Sequence, residues 1–171
     1  QAFKPAVEAD AATGVMSSYN LVNGRPNTVN PALDDTVRSW TSQRLLNVTD
    51  AYAPGNLVGS QKYYGTQAEA DAAALKAGID SFTDNDRDSG PTTAAVKSAL
   101  STGLLKESDV DKAAADVLSV RVRLGEFDPG GGKYGSIDAS VIDSPAHRKL
   151  ARKAATSASA SGLTNGALQT E

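Results

Sequence analysis

Arg44-Leu45-Leu46-Asn47-Val48-Thr49 is a short, mainly apolar segment, and Asp50 follows it directly. A run of this length with branched apolar side chains is typical of a buried strand. Gly14-Val15-Met16-Ser17-Ser18-Tyr19 has the same character, and residues 77–82 form a weaker third candidate. The first half of the chain is therefore predicted to hold three short strands.

Helix-start signals lie between these strands and after them. They are Asn30-Pro31 followed by Asp34, Thr66 followed by Glu69, Gly90-Pro91, and Ser108 followed by Asp111. In each, a side-chain acceptor or a proline suits the amide groups that the first turn of a helix leaves without partners. The patterns predict helices over 66–76 and 108–124. In the second helix, Asp116 is expected to face water together with Lys112 and Arg123.

Strands and helices alternate along the chain, an order that builds parallel α/β layers because parallel strands need a crossover connection. We therefore predict an α/β fold. Parallel sheets normally carry helices on both faces or close into a barrel. We therefore expect the three predicted strands to belong to a larger α/β structure. The run Asp128-Pro129-Gly130-Gly131-Gly132 marks a linker or domain edge, and a last helix is predicted to begin at Ser144-Pro145.

Composition excludes several classes of function. The 171 residues are 40% hydrophobic and 22% charged, with a formal net charge of −3. This balance is that of a soluble globular protein without a basic block for nucleic acid. The chain has no cysteine, which rules out disulfides, and His147 alone cannot form a multi-histidine metal site. No apolar run approaches the ~18–20 residues of a membrane span, so neither nucleic acid nor a membrane is an expected partner.

Polar residues at the ends of the predicted strands are the first candidates for a site, because parallel α/β folds bind ligands there. Tyr19 and Asn20 end the first strand, Thr49 and Asp50 lie at the end of the second, and Asp80 ends the third. A carboxylate held by a rigid strand suits a nucleophile. The alternatives are that Asp50 caps or turns the chain and that Tyr19 packs as an amphipathic ring. Asp80 is expected to be a turn or helix-cap residue.

Five stretches of the sequence together resemble one known family. The first is Val15-Met16-Ser17-Ser18-Tyr19-Asn20-Leu21-Val22-Asn23-Gly24-Arg25-Pro26, similar to a VMCSYNxVNGxP segment, and the second is Leu46-Asn47-Val48-Thr49-Asp50-Ala51, similar to a VVSDW strand. The others are Ala77-Gly78-Ile79-Asp80 for AGxD, residues 108–128 for a closing barrel helix, and His147-Arg148-Lys149-Leu150-Ala151-Arg152 for HRxLAR. These motifs are those of family 3 glycoside hydrolases, the β-glucosidase and β-xylosidase group. They occur in register across about residues 3 to 153.

The resemblance implies a fold and a reaction. Residues 1–128 are expected to form the last three units of a (β/α)₈ TIM barrel, and residues 129–171 a linker and the start of a connection to a second domain. The family's enzymes are retaining glycosidases that hydrolyse β-glucosides or β-xylosides. Their nucleophile corresponds to Asp50, and the tyrosine of their sugar-binding subsite corresponds to Tyr19. The resemblance implies no metal and no organic cofactor.

The resemblance also implies that the site is incomplete on this chain. The family's acid/base comes from a second domain or from a loop early in the barrel, and neither region is matched here. Glu107, Glu126 and Asp128 match structural helix-end positions, so none of them is nominated as the acid. The expected partners are a carbohydrate substrate, the missing barrel half and the second domain, and the isolated chain is expected to be inactive. Secretion is expected from the resemblance alone.

Departures from the motifs leave an alternative open. Ala51 stands where the family has an aromatic residue or cysteine, and Thr49 replaces the usual serine, which puts subsite specificity in question. The alternative is a non-catalytic carbohydrate-binding or interaction module derived from the same fold. A small flavodoxin-like domain is disfavoured because no phosphate-binding glycine motif follows any predicted strand. Asn47-Val48-Thr49 matches a glycosylation signal but is discounted, because its asparagine lies in the predicted buried strand.

Overall fold

The structure is a computed structural model that describes residues 2–84 and 87–164. It divides into two units, Gln1–Arg123 and Leu124–Glu171. The helices and strands are α1 (Lys4–Glu8), β1 (Gly14–Ser17), β2 (Leu21–Val22), β3 (Arg25–Pro26), α2 (Pro31–Arg38), β4 (Leu46–Thr49), α3 (Ala53–Val58), α4 (Gln67–Lys76), α5 (Gly90–Ser101), α6 (Glu107–Leu124) and α7 (Pro145–Thr164). In the first unit the parallel strands β1 and β4 are connected through α2, and further helices follow β4, which confirms the α/β prediction. The predicted domain boundary after residue 128 stays a prediction.

The sheet of the first unit is parallel, as the alternation predicts. β1 pairs with β4, with Gly14 opposite Leu46 and Ser17 opposite Thr49. The third predicted strand is reduced to one parallel bridge between Val48 and Ser81. Parallel pairing stops after Ser81. The next amide that could extend it, that of Thr83, donates to the Thr49 side chain instead of to a backbone carbonyl of β4.

A small hairpin between β2 and β3 follows β1, and the strand predictions do not contain it. Leu21 pairs with Pro26 and Val22 with Arg25 in antiparallel register. The turn residues Asn23 and Gly24 have φ of 52° and 80°. Left-handed conformations at both central positions make a two-residue turn that Asn-Gly adopts readily. The Asn-Gly turn signal is present in the sequence. Each strand has only two residues, however, too few to show the alternation of apolar and polar side chains that predicts a strand.

The helix α4 is the centre of the apolar core. One face packs with Val29, Leu57 and Ile79, and another with Ala99 and Leu105. Alanine at most inward positions lets neighbouring helices approach closely. The predicted start of this helix is confirmed: Glu69 donates its amide to Thr66 Oγ1 at 3.3 Å, and the Thr66 amide bonds Glu69 Oε2 at 2.9 Å.

The helix predicted over 108–124 is confirmed as α6, but its predicted cap and the predicted exposure of Asp116 are wrong. The helix begins at Glu107, and the cap is made by Asp109, whose Oδ2 accepts from the Lys106 amide at 2.9 Å, rather than by the predicted Ser108–Asp111 pair. Asp116 does not face water but is only 3% exposed. It is buried because Arg44 binds its Oδ1 at 2.6 Å from a distant part of the chain, a contact that helical periodicity cannot reveal.

A buried charge cluster beneath the sheet joins three parts of the first unit. Arg38 at the end of α2 bonds to Asp34 at 2.7 Å, to Asp80 at 2.8 Å and to Asp116 at 3.4 Å. Burial lowers the pKa of Arg38, but the hydrogen bonds and charges of Asp80 and Asp34 outweigh it, so the pKa lies above its usual value. Removing one partner from such a cluster leaves buried charges without compensation.

Gly78 is required for the approach of α2 to the segment that carries Asp80. Its φ is +100°, a conformation that favours glycine, and a Cβ there would lie 2.1 Å from Asp34 Oδ2. Its carbonyl also accepts from Arg38 at 2.9 Å. The glycine of this motif therefore serves the charge cluster as well as the turn.

The second unit consists of turns followed by one long helix. Gly130 and Gly131 have φ of 71° and 78°, which explains why regular structure is interrupted at the predicted linker. The helix α7 begins at Pro145, as predicted. Arg148 in its first turn binds the Asp143 carboxylate at 2.9 Å. Both groups are exposed, so this pair contributes little stability.

Asp71 is a second buried acidic group, separate from the Arg38 cluster. It lies on α4 and is 1% exposed. Its Oδ1 accepts from Gln67 Nε2 at 2.7 Å, and its Oδ2 has no hydrogen-bond partner among the described residues. Burial raises the pKa of Asp71 to about 6; the Gln67 bond opposes this, and the charge of Asp84 adds to it.

We expect Arg38→Met to lower the free energy of unfolding by about 3–5 kcal/mol, because Asp34 and Asp80 would stay buried without their shared cation, while Asp116 would keep its pair with Arg44. Urea unfolding followed by circular dichroism measures the change. Arg152→Met, an exposed arginine of α7, is the control and should change stability by no more than about 0.5 kcal/mol. Equal stability of the two variants would show that the cluster does not hold the fold together.

We expect Asp71→Asn to stabilise the chain at pH 7 by about 2–3 kcal/mol. The folded-state pKa of about 6 lies above the unfolded value, so the folded state binds more protons between about pH 4 and pH 6, and stability falls as pH rises through that window. Asparagine keeps the Gln67 bond and cannot ionise. Unfolding midpoints measured from pH 4 to 7 should fall less steeply for Asp71→Asn than for the parent. The exposed Asp111→Asn is the control, and an unchanged pH dependence in Asp71→Asn contradicts the prediction.

Candidate functional site

Three segments of the chain meet at the carboxyl end of the sheet. The Asp50 amide, directly after β4, bonds to the Ser17 carbonyl at the end of β1 at 3.1 Å. The Tyr52 amide bonds to the Thr83 carbonyl at 2.7 Å, which ties the segment after the Ser81 bridge to the same edge. The residues that follow all three strand positions are therefore neighbours.

The Asp50 side chain is half-buried and held in one orientation at this edge. Its Oδ1 accepts from the Ala51 amide at 2.8 Å. Alternation along β4 places Asn47 and Thr49 on the buried face, so Asp50 points to the opposite face of the sheet. That face carries Met16, which is 62% exposed. The carboxylate is thus presented on the open side of the sheet.

Tyr19 lies beside the segment that contains Asp50, as the family resemblance implies. Its hydroxyl donates to the Ala51 carbonyl at 2.5 Å. Desolvation raises the pKa of Tyr19, and the hydrogen bond and negative charge of the Asp50 carboxylate raise it further. The two candidate residues therefore interact, while their functional roles stay predictions.

Two residues that sequence reasoning missed hold the Tyr19 loop. Asn27 Nδ2 donates to Ser18 Oγ at 2.9 Å and to Asn20 Oδ1 at 3.1 Å. Gln61 Nε2 donates to the Tyr19 carbonyl at 2.8 Å. The Asn-Gly turn was the available signal for Asn27, because a hairpin returns the chain to the end of β1. No local pattern indicates Gln61.

Asp80 and Thr49 are buried and bond to other parts of the chain, so neither side chain is exposed at the carboxyl end of the sheet. The expectation that Asp80 is a turn or helix-cap residue is wrong: its Oδ2 accepts from the Asn47 amide at 2.7 Å and pairs with Arg38. Thr49 is fully buried, and its Oγ1 accepts from the Thr83 amide at 2.8 Å. Asn47 is 3% exposed, so the Asn47-Val48-Thr49 signal is inaccessible in the folded chain.

A small cavity opens beside this edge, with a volume of about 160 Å³. Its lining consists of Tyr52, Pro54, Gly55, Gln67, Asp84, Asp88, Pro91 and Thr92. In the part of the chain that the structure describes, no group of three or more His, Cys, Asp or Glu side chains could hold a metal ion. Over residues 2–84 and 87–164, no helix combines the length and apolarity needed to cross a bilayer.

Comparison with known proteins gives a consistent assignment. The model of the glycosyl hydrolase family 3 N-terminal domain matches residues 1–120. Beta-D-xylosidase 1 of Arabidopsis thaliana is 36% identical over 155 residues, which cover 90% of this chain and 19% of that protein. A probable exo-1,4-β-xylosidase of Aspergillus clavatus is 35% identical over 90% of this chain and 20% of its own length.

Solved structures agree with this assignment. The β-glucosidase of Listeria innocua in complex with isofagomine superimposes with a TM-score of 0.72 at 26% identity, covering 90% of this chain and 21% of that one. The chain belongs to glycosyl hydrolase family 3. It spans about a fifth of the length of the curated relatives it matches.

We expect Asp50→Asn to lower the pKa of Tyr19, because the substitution removes the negative charge that opposes phenolate formation. The pKa is measured by phenolate absorbance as the difference between each protein and the same protein carrying Tyr19→Phe. Asp111→Asn, an exposed acid on α6, should leave the Tyr19 titration unchanged. An unchanged Tyr19 titration in Asp50→Asn would place the two side chains out of contact in solution.

Proposed function

We propose that this chain supplies the nucleophile side of a retaining β-glycosidase site that acts on β-xylosides or β-glucosides. The observation that carries the proposal is the Asp50 carboxylate, presented on the open face at the carboxyl end of β4, with the Tyr19 hydroxyl bonded to the carbonyl of the next residue, Ala51. The relatives support the substrate class, since the plant protein is a xylosidase, the fungal protein is a probable xylosidase and the bacterial structure is that of a glucosidase.

Asp50 would act through the oxygen that is not bonded to the Ala51 amide. Its Oδ2 attacks the anomeric carbon of the sugar, and the bond from that carbon to the glycosidic oxygen breaks as the glycosyl ester forms. The leaving oxygen takes a proton from a second carboxyl group, which then removes a proton from the water that hydrolyses the ester. The Ala51 amide keeps the carboxylate in one orientation throughout, and Tyr19, whose hydroxyl proton is donated to the Ala51 carbonyl, accepts a hydrogen bond from a hydroxyl of the sugar.

The second carboxyl group belongs to a part of the fold outside the described residues. Retaining enzymes hold their two carboxyl groups about 5–5.5 Å apart. Asp80 follows the neighbouring strand position but is committed to Arg38 and the Asn47 amide. We therefore assign the acid/base to another segment of the complete enzyme, and expect the 171-residue chain alone to be inactive.

Residues 1–128 would serve as the last three units of a (β/α)₈ barrel, with residues 129–171 leading towards a second domain. Two parallel strands and one bridge cannot close a barrel, which needs eight strands. The exposed Met16 and Leu21 side chains, on β1 and β2, support further packing on this side. A carbohydrate is the substrate in this arrangement, and the remaining barrel is the partner.

The test uses a chimera in which residues 2–164 replace the matching segment of the Arabidopsis β-D-xylosidase 1. We expect the chimera to hydrolyse an aryl β-xyloside and Asp50→Asn to lower kcat by about 10⁴-fold, because no other group can form the ester. Asp50→Ala with added azide should form the α-glycosyl azide, since azide replaces the missing nucleophile on the same face. A 2-fluoro-xyloside should label the peptide that contains Asp50.

The matched control is Asp111→Asn in the chimera, which should keep the parent kcat. Full turnover by Asp50→Asn, or label on another residue, would falsify the nucleophile assignment. Sugar binding by the chimera that is unchanged in Asp50→Ala, without labelling or azide product, would instead select the non-catalytic carbohydrate-binding module.

A further inference from the structure

Tyr19 is held by side-chain hydrogen bonds rather than by the sheet. It lies between β1 and β2, and no backbone amide of the described residues bonds to its carbonyl. Two bonds to the segment after β4 hold it instead. The Tyr19 hydroxyl donates to the Ala51 carbonyl at 2.5 Å, and the Tyr19 carbonyl accepts from Gln61 Nε2 at 2.8 Å. One bond fixes the ring, and the other fixes the backbone that carries it.

These two bonds reach opposite ends of α3. Ala51 lies just before this helix, and Gln61 lies three residues after its last residue, Val58. The helix has six residues and is therefore about 9 Å long. It begins three residues after Asp50. Because both bonds of Tyr19 go to the segment built around this one short helix, α3 relates the Tyr19 ring to the Asp50 carboxylate.

The backbone around Gln61 is fixed by bonds that do not involve Tyr19. The Gln61 amide donates to the Asn56 carbonyl at 2.9 Å, and the Tyr63 amide donates to another carbonyl of α3 at 2.7 Å. Between them, Lys62 has a φ of 49°, a left-handed conformation that is uncommon for residues other than glycine. Since the turn is anchored on α3 by itself, Gln61 positions Tyr19 and not the reverse.

The side-chain amide of Gln61 has one orientation that serves Tyr19. Its Nε2 faces the Tyr19 carbonyl, while its Oε1 is enclosed and has no hydrogen-bond partner among the described residues. Rotation of the amide by 180° would set two carbonyl oxygens against each other. An enclosed acceptor without a partner costs free energy. The Gln61 amide therefore contributes little to stability, and its bond to Tyr19 is its main effect.

We propose that Gln61 is a positioning residue, which holds Tyr19 beside Asp50 and so places the hydroxyl that accepts a hydrogen bond from the sugar. The inference rests on the proposed function for the sugar contact, whereas the placement of Tyr19 is independent of the reaction. Gln61 acts through Tyr19 and not by contact with the substrate. Loss of its amide should therefore matter only while the Tyr19 hydroxyl is present.

The first test measures the placement of Tyr19 in the full 171-residue chain. Desolvation raises the pKa of Tyr19, and the hydrogen bond and charge of Asp50 raise it further. Gln61→Met releases the Tyr19 backbone, so the ring should move away from Asp50 and the pKa of Tyr19 should fall. Phenolate absorbance measures this pKa as the difference from the same protein carrying Tyr19→Phe. Gln43→Met, at an exposed glutamine, is the control and should keep both the Tyr19 titration and the urea-unfolding midpoint.

A pair of substitutions at Lys62 provides a second route to the same measurement. Lys62→Gly tolerates the left-handed backbone, whereas the β-branched Lys62→Val does not and should displace Gln61. Both remove the same exposed charge. The pKa of Tyr19 should therefore be lower in Lys62→Val than in Lys62→Gly. A Tyr19 titration that is equal within this pair, or that is unchanged in Gln61→Met, overturns the proposal.

The second test is a double-mutant cycle in the chimera with an aryl β-xyloside. Gln61→Met should lower kcat/KM about tenfold, the effect of one misplaced hydrogen bond. In a chimera that already carries Tyr19→Phe, Gln61→Met should lower kcat/KM by less than about twofold, because the hydroxyl that it positions is absent. Equal losses in the two backgrounds would show a general structural role and overturn the proposal.

The two tests separate this inference from the proposed reaction. Full turnover by Asp50→Asn overturns the reaction, while a lowered pKa of Tyr19 in Gln61→Met still supports the placement of Tyr19 by Gln61. An inactive Asp50→Asn, together with parent values of kcat/KM and of the Tyr19 pKa in Gln61→Met, overturns the positioning role but not the reaction.

Discussion

Arg38 sets the geometry of the first unit, because its guanidinium bonds to three carboxylates from different parts of the chain. Asp34 lies one turn earlier in α2, Asp80 lies on the segment that bridges β4, and Asp116 lies in α6. Loss of any one partner would leave buried charge without compensation, so the cluster ties α2 and α6 to the segment that bridges β4. Asp80 also accepts from the Asn47 amide, which connects this cluster to the strand that ends next to Asp50.

The edge that presents Asp50 is built by hydrogen bonds of Thr49, directly before it, and of Tyr52, two residues after it. Thr49 turns its side chain inward and accepts from the Thr83 amide, and the Thr83 carbonyl then accepts from the Tyr52 amide. These bonds force the chain to turn immediately after Asp50, which brings Tyr52 into its left-handed conformation on Gly55. One turn therefore orients both the Asp50 carboxylate and the Tyr52 ring that lines the neighbouring cavity.

Local signals predicted those elements whose stabilising contacts lie close in sequence. The Thr66–Glu69 capping box spans one helical turn, and the observed helix begins where the pattern places it. Predictions failed where the partner is distant. Asp116 has the position of a solvent-facing residue on a periodic helix, yet Arg44 binds it across more than 70 positions. The prediction of a third strand failed for a similar reason. The Thr83 amide donates to the Thr49 side chain instead of extending the backbone pairing with β4.

The sequence by itself determined the α/β class, the helix starts with local caps, and the order of strand ends that brings Tyr19 and Asp50 to one edge. These follow from short-range propensity and from the requirement that parallel strands carry their carboxyl ends to the same side. Only the tertiary structure decided that Asp80 belongs to the Arg38 cluster, that Gln61 holds the Tyr19 loop, and that a cavity opens beside Tyr52. Each of these depends on side chains far apart in the chain, and the free energy of burying a polar group is settled by partners that no local pattern contains.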